Sequence, residues 1–265
     1  MTTYTIRHCA GIGDLLMFTP AFRGVKEQDP SCQIRIATLR GYCAGAFDGL
    51  LAENPHVDGV SDVGESNGNM RHWLAAGDVK FFDLGRKCAQ YEDAFGPKHR
   101  TDLACDLLDV APDNRKPVLN LRPDEIAWAQ GYCQDHYDMS GPVIGIVTDG
   151  SCDARRIPEI TVAEIAALAL DAGWEAILLN RDAGLTIRQY AALMTQLTCL
   201  VTPDTGAMHI AGALDVPTVA LFGPTDPLSR MKYYPHCHAL KADAMAGHEA
   251  TLIVETVGGV VHGEL

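Results

Sequence analysis

Residues 4–38 read as a unit that only a parallel sheet can use. Tyr4-Thr5-Ile6-Arg7-His8-Cys9 alternates as a strand, and Ala10-Gly11-Ile12-Gly13-Asp14 is a tight turn. Leu15 to Gln28 follows as a helix carrying apolar Leu15, Leu16, Phe18, Phe22 and Val25, and Gln33-Ile34-Arg35-Ile36-Ala37-Thr38 alternates as the next strand. A helical crossover of that length returns the second strand parallel to the first. Pro20 falls inside the helix and is expected to kink it, and Pro30 ends the segment.

The same grammar continues less cleanly. Ala44 to Leu51 predicts a helix, Gly59 to Val63 and Val79 to Leu84 predict strands, and Thr101 to Leu108 predicts a helix. Residues 85–100 are polar and irregular and read as a loop that lines a cleft. Asp124 to Tyr137 predicts a helix, and Ser140-Gly141-Pro142 breaks the chain. The pattern then restarts. Strands are expected at Pro142–Val147, Glu175–Leu179, Cys199–Thr202 and Pro217–Phe222, with helices at Thr161–Ala172, Thr186–Leu197 and Ala207–Leu214. The fold class expected is α/β: two Rossmann-like parallel-sheet domains, 1–140 and 141–265, facing a central cleft at the carboxyl ends of their strands. A chain of 265 residues is long enough for two such domains.

Net charge narrows the ligands. At −13 the chain does not bind nucleic acid through its overall field, so a phosphorylated ligand must be met by helix N-termini, backbone N–H groups and individual arginines. Met1 to Thr19 lacks a basic start followed by an unbroken apolar core, so no signal peptide is expected, and no apolar run is long enough for a transmembrane helix. The nine cysteines form no Cys-x-x-Cys pair and are expected to be free thiols of a cytoplasmic protein. His236-Cys237-His238 is the one cluster that hints at metal, and it lacks partners at ligand spacing, so neither metal nor cofactor is expected.

Several turns can carry chemistry. Gly11-Ile12-Gly13 matches a dinucleotide fingerprint only in its first glycines; Leu16 holds the third position, which argues against a nicotinamide site. Asp14 sits where a phosphate would otherwise lie. On the residues alone it reads as a helix N-cap ahead of a general base. Pro203-Asp204-Thr205-Gly206-Ala207-Met208-His209 follows a strand and opens a helix, so the amides of Thr205, Gly206 and Ala207 can meet an anion. His209 by itself reads as a packed or capping histidine. Asp149-Gly150-Ser151-Cys152-Asp153-Ala154-Arg155-Arg156 lies at the matching place after the first strand of the second half, and its arginines can clamp a diphosphate or stay solvated.

Three stretches resemble glycosyltransferase family 9, the lipopolysaccharide heptosyltransferases: Gly11-Ile-Gly-Asp-Leu-Leu-Met-Phe-Thr-Pro-Ala-Phe-Arg-Gly-Val-Lys, Asn54-Pro-His-Val-Asp, and Pro203-Asp-Thr-Gly-Ala-Met-His-Ile-Ala-Gly-Ala-Leu-Asp-Val-Pro-Thr-Val-Ala-Leu-Phe-Gly-Pro-Thr-Asp-Pro. The resemblance runs from Tyr4 to Pro227. It implies the two-domain GT-B fold and metal-independent, inverting transfer of heptose from ADP-heptose to a glycan or lipid-linked glycan of lipopolysaccharide type, with peripheral contact at the inner membrane face. It implies Asp14 as the catalytic residue, Arg155 as the grip on the donor diphosphate, and Asp204, Thr205 and Gly206 as the phosphate turn with His209 behind it. Gly13, Gly150, Ser151, Arg156, Thr186 and Ala207 complete the expected donor set. The absence of an Asp-x-Asp motif agrees with metal-independent transfer.

The chain also departs from the family. Between Trp174 and Thr186 it has only Glu175-Ala-Ile-Leu-Leu-Asn-Arg-Asp-Ala-Gly-Leu, where Asn180 or Asp182 would have to replace an acidic ribose contact. From Tyr234 onward it lacks the family's long closing helices. The shortened segment keeps open a nucleotide-sugar-binding protein with little turnover; the rival among enzymes is a nucleotide-sugar epimerase or hydrolase on the same fold, which would need further acidic or histidine residues facing the sugar.

Overall fold

The computed structural model describes residues 1–8, 10–38, 46–62, 78–150, 152–180 and 184–265. The chain divides into two compact units, Met1–Asn120 and Leu121–Leu265.

In the first unit β1 (Thr3–His8) leads into α1 (Ile12–Gln28) and β2 (Gln33–Thr38), as the opening pattern predicts. Then come α2 (Ala46–Leu51), β3 (Gly59–Asp62), β4 (Val79–Asp83), α3 (Leu84–Phe95) and α4 (Arg100–Leu108). The strands pair in parallel in the order β3-β2-β1-β4, with Thr3 opposite both Gln33 and Val79. Winding goes outward from β1 to β3, then resumes on the other side of β1 at β4. A reversal of this kind leaves a crevice at the carboxyl ends of the two strands involved. The turn before Asp14 and the residues from Asp83 onward lie there.

Helix α1 is apolar around most of its circumference, so it is a buried helix rather than a surface one. Leu15, Leu16, Phe18 and Phe22 are fully buried, and α1 packs along α4. It continues through Pro20 as one helix. A proline has no N–H for the carbonyl four residues back and crowds that turn. The Thr19 hydroxyl donates to the Leu16 carbonyl at 2.7 Å instead, and the Thr101 hydroxyl of α4 donates to the Met17 carbonyl at 2.7 Å. Thr19 Oγ1 also accepts the Val118 N–H at 2.7 Å.

The Asn54–Asp58 motif serves the same unit. Asn54 Oδ1 accepts the His56 N–H at 2.9 Å and its Nδ2 donates to the Val118 carbonyl at 3.3 Å. Asp58 Oδ2 accepts the Ile34 N–H and Lys26 Nζ, each at 2.7 Å. The motif therefore holds the fold together.

The expected loop at 85–100 is corrected: most of it is α3. Asp83 caps the helix by accepting the Arg86 N–H at 3.2 Å, and Leu84 and Cys88 are buried one turn apart. Gly96, at φ 86°, ends it in a conformation that favours glycine. Gly85 and the charged residues between those two apolar positions hid a helix with a narrow buried stripe.

The second unit holds α5 (Pro123–His136), β5 (Val143–Ile146), α6 (Glu159–Asp171), β6 (Glu175–Leu178), α7 (Ile187–Met194) and β7 (Cys199–Pro203). It ends with α8 (Gly206–Ala213), β8 (Thr218–Phe222), α9 (Leu228–Met231), β9 (Cys237–Lys241) and α10 (Ala250–Val261). The parallel order is β6-β5-β7-β8-β9, so winding reverses between β5 and β7. Ile144, Ile146, Val201, Val219 and Leu221 bury against Ile165 of α6 and Ile253 and Val257 of α10. Met208 of α8 forms a separate buried cluster with Ala220 and Phe222. Beyond Tyr234 the chain adds an edge strand, β9, and one closing helix, α10.

Helix α5, which the 140/141 boundary assigns to the first domain, groups with the second unit. Its Glu125 is clasped by Arg188 of α7: Nη2 donates to Oε2 at 2.5 Å and Nε donates to Oε1, with both residues buried. The break at Ser140-Gly141-Pro142 marks the entry to β5, where a turn composition says nothing about which unit the preceding helix packs on.

Candidate functional site

Each unit carries part of the expected site at the winding reversal of its own sheet. In the first unit, the β1–α1 turn is supported by His8. Its ring is fully buried against Phe18 and Phe47, edge to face, and Nε2 lies 3.1 Å from the Gly11 carbonyl. A carbonyl only accepts, so Nε2 carries the proton. Burial pushes the ring below its ordinary pKa, although the charge of Asp14 and the Gly11 carbonyl oppose the shift.

Asp14 is not the N-cap. Gly11 takes that position, at φ −70° and ψ 169°, with no side-chain capping bond, and Asp14 lies in the first turn of α1 after the buried Gly13. The helix dipole favours a carboxylate there. Asp14 Oδ1 accepts Arg100 Nη1 at 2.5 Å, and the same guanidinium donates to Glu92 through Nε at 3.1 Å and Nη2 at 2.8 Å. Burial works against the charge of Arg100, but Glu92 and Asp14 outweigh it and push its pKa up. Asp83, the other carboxylate at this edge, is engaged twice, as the cap of α3 and with Arg7 Nη1 at 2.7 Å.

Arg100 and Glu92 were not singled out from the sequence. Their signal was present in the charged stretch read as cleft-lining. It lacked the helix that turns Glu92 toward Arg100.

In the second unit, the turn after β5 folds tightly on itself. A Cβ on Gly150 would lie 2.4 Å from Arg155 Cβ and 2.8 Å from its carbonyl oxygen, so only glycine fits. Arg155, in the 3₁₀ turn Asp153–Arg155, reaches the turn after β7: Nη1 donates to the Asp204 carbonyl at 3.1 Å, and Nη2 lies 3.5 Å from Asp204 Oδ2. Asp204 is buried, and its Oδ2 has no hydrogen-bond partner among the described residues. Thr205 is the N-cap of α8 without a side-chain capping bond, and its Oγ1 lies 3.5 Å from Thr202 Oγ1. The first amides of α8 are therefore open to an anion, with Arg155 beside them.

The remaining expected residues divide. Gly206 is half-buried and Ala207 buried at the start of α8. His209 is buried behind them, its Nδ1 2.8 Å from Tyr234 Oη. Arg156 does not join Arg155; it is exposed and pairs with Asp149 at 3.2 Å. Thr186 is exposed and closes a capping box with Gln189. Asn180 accepts the Thr148 hydroxyl at 3.1 Å, at the carboxyl end of β5. Ser151 and Asp182 lie outside the described residues. Lys241, which the sequence did not flag, ends β9 and donates to the carbonyls of Gly223 and Ala242. Among the described residues no His/Cys/Asp/Glu group has metal-binding geometry, and no helix is long and apolar enough to cross a membrane.

A family model, Glycosyltransferase family 9 (heptosyltransferase), matches residues 182–249. Lipopolysaccharide heptosyltransferase 2 of Escherichia coli (strain K12) is 28% identical over 185 residues, which cover 56% of this chain and 53% of that protein. The chain thus spans about half the length of this curated relative. The solved glycosyl transferase family 9 structure from Veillonella parvula DSM 2008 aligns with a TM-score of 0.79 at 15% identity, covering 98% of this chain and 97% of that one. E. coli ADP-heptose lps heptosyltransferase II aligns with a TM-score of 0.74 at 18% identity, covering 100% and 99%. The fold is therefore that of GT-B heptosyltransferases, with a parallel-sheet α/β architecture in each unit.

Proposed function

We propose that this family 9 heptosyltransferase-like chain transfers a heptose from ADP-heptose to a hydroxyl of a lipopolysaccharide-type glycan. The observation that carries this is the uncapped N-terminus of α8 with Arg155 at its edge, in a chain that also holds a carboxylate at Asp14. The open amides and the guanidinium suit the donor diphosphate. Thr205, Gly206 and Ala207 line the phosphates, and Gly150 lets Arg155 lie close enough to serve.

The chemistry is a single displacement. The acceptor oxygen attacks the anomeric carbon from the side opposite the diphosphate, forming one C–O bond as the bond to the leaving phosphate oxygen breaks. The configuration inverts, Asp14 takes the hydroxyl proton, and ADP leaves with the bonding electrons. Charge grows on the diphosphate, where fixed N–H groups and a guanidinium stabilise it most. The proposed reaction uses no metal or cofactor and takes place in the cytoplasm, with the lipid-linked acceptor at the inner membrane face.

The test is to incubate the chain with ADP-heptose and a lipopolysaccharide core lacking the terminal heptose, then weigh the product by mass spectrometry. One heptose should be added per acceptor. Asp14→Asn should bind ADP-heptose as well as wild type yet transfer roughly 10²–10⁴-fold more slowly, since the amide is no base. Release of free heptose without acceptor would make the chain a hydrolase. Thermal stabilisation by ADP-heptose with no product would make it a binding protein.

A further inference from the structure

The Asp14 carboxylate is held by a side chain from another part of the first unit. Arg100 opens α4, and its guanidinium uses one nitrogen, Nη1, on Asp14 Oδ1 at 2.5 Å. Its Nε and Nη2 go to the two oxygens of Glu92 on α3, at 3.1 and 2.8 Å. Only 14% of the Arg100 side chain is exposed, against 17% for Asp14 and 18% for Glu92. A two-bonded fork fixes the plane of a guanidinium as a single bond cannot. Glu92 therefore sets where Nη1 points, and Nη1 sets where the Asp14 carboxylate lies. Asp14 Oδ2 has no hydrogen-bond partner among the described residues.

A tether between α1 and α4 would explain less. Those helices already share apolar packing and the Thr101 hydroxyl bond to the Met17 carbonyl. Replacing a mostly buried ion pair with apolar residues is often neutral or stabilising, so stability alone gives little reason for this one. The arrangement instead leaves one oxygen of a carboxylate fixed and the other open, as a base must be held to meet a substrate proton.

We propose that Arg100, braced by Glu92, is a positioning residue that locks Asp14 Oδ1 and so presents Oδ2 to the acceptor hydroxyl. The proposal rests on Asp14 being the base of the transfer reaction. Arg100 stays charged across any working pH, because its carboxylate partners outweigh the effect of burial, so the clamp does not release on titration of the arginine.

Four variants test this: Arg100→Gln, Arg100→Lys, Glu92→Gln and, as a control, Lys98→Ala, which loses a cation from the exposed pair with Asp106. With ADP-heptose as donor, kcat of Arg100→Gln should fall about tenfold to a hundredfold at unchanged donor KM, the scale expected for a misplaced catalytic group. Arg100→Lys should recover part of the loss, since it restores the charge without the fork. Glu92→Gln should lie between it and wild type, and Lys98→Ala should match wild type. Crystals of Arg100→Gln and Glu92→Gln should show the Asp14 carboxylate rotated away from its wild-type position.

An unmoved Asp14 in both crystal structures, or full kcat in folded Arg100→Gln, overturns the proposal. Should wild type transfer no sugar, the transferase reading falls, and the position of Asp14 in the crystals still decides whether Arg100 holds it. If Arg100→Gln does not fold, the rate and crystal structure of Glu92→Gln, which keeps the shape of the brace, decide.

Discussion

At the scale of single residues, the donor half of the candidate site depends on one missing methyl group. Gly150 lies so close to Arg155 that a Cβ would meet it at 2.4 Å. Both contacts are to fixed parts of Arg155, its Cβ and its backbone carbonyl, and neither can move without moving the 3₁₀ turn. Gly150→Ala should therefore destabilise the chain by about 1–3 kcal/mol. It should also draw Arg155 off the Asp204 carbonyl and weaken ADP binding. Calorimetric titration with ADP beside a thermal melt checks both. A folded variant with wild-type affinity would show that Arg155 takes no part in holding the diphosphate. Asp14 shows the opposite case. Its residue type and turn favoured a cap, and only the two residues of helix before it, Ile12 and Gly13, with Gly11 as cap, remove that reading.

At the scale of elements, α5 and α7 are joined by the Glu125–Arg188 pair, with Glu125 9% and Arg188 9% exposed. Arg188→Met leaves the buried Glu125 carboxylate with only the exposed Arg122 guanidinium, at 3.0 Å, as its cation, so it should cost about 3 kcal/mol, and Glu125→Leu added to it should restore much of the loss. Urea unfolding of the two variants measures this; a double variant no more stable than the single one would count against it. Arg188 first, and then the Arg122 backbone N–H, hold the Glu125 carboxyl below its ordinary value of 4.5 against the opposing effect of burial. A carboxyl that is more acidic when folded contributes fully above the unfolded value. Stability from this pair should hold at neutral pH and fade as pH falls from about 4.5 through the lower folded value. The strands around these helices were legible because each is a short apolar run between turns, as in Val143–Ile146 and Thr218–Phe222. Helix α3 was not, because Leu84 and Cys88 are its buried residues and neither forms a periodic pattern. The C-terminal β9 was hidden for a related reason: His238, Ala239 and Lys241 mix polar and apolar residues, as befits a strand at the sheet edge.

At the scale of the whole molecule, the chain carries −13, yet its candidate anion sites need positive potential. The answer is local: Arg155 and the N-terminus of α8 meet the anion in the second unit, and Arg100 with the first turn of α1 balances the Asp14 carboxylate in the first, and composition alone cannot reveal either. The doubly wound pattern was legible apart from α3 and β9, whereas pairs such as Arg100 with Asp14 join residues 86 apart in sequence and have no one-dimensional signal. Pro20 has a consequence for the order in which this molecule comes into being. A proline within a helix costs about 3 kcal/mol relative to alanine; Thr19 takes up the freed Leu16 carbonyl within α1, but the bonds that fasten this stretch from outside, Thr101 on the Met17 carbonyl and the Val118 N–H on Thr19, come from later in the chain. Neither exists when the ribosome has made only the first strand and helix. A chain released at residue 60 should accordingly show little of the α1 helix by circular dichroism, one released at residue 120 should show it, and a helical 60-residue fragment would refute the dependence. Asp14 therefore acquires its place late: the emerging protein must wait for its hundredth residue before its first helix can hold a carboxylate in position.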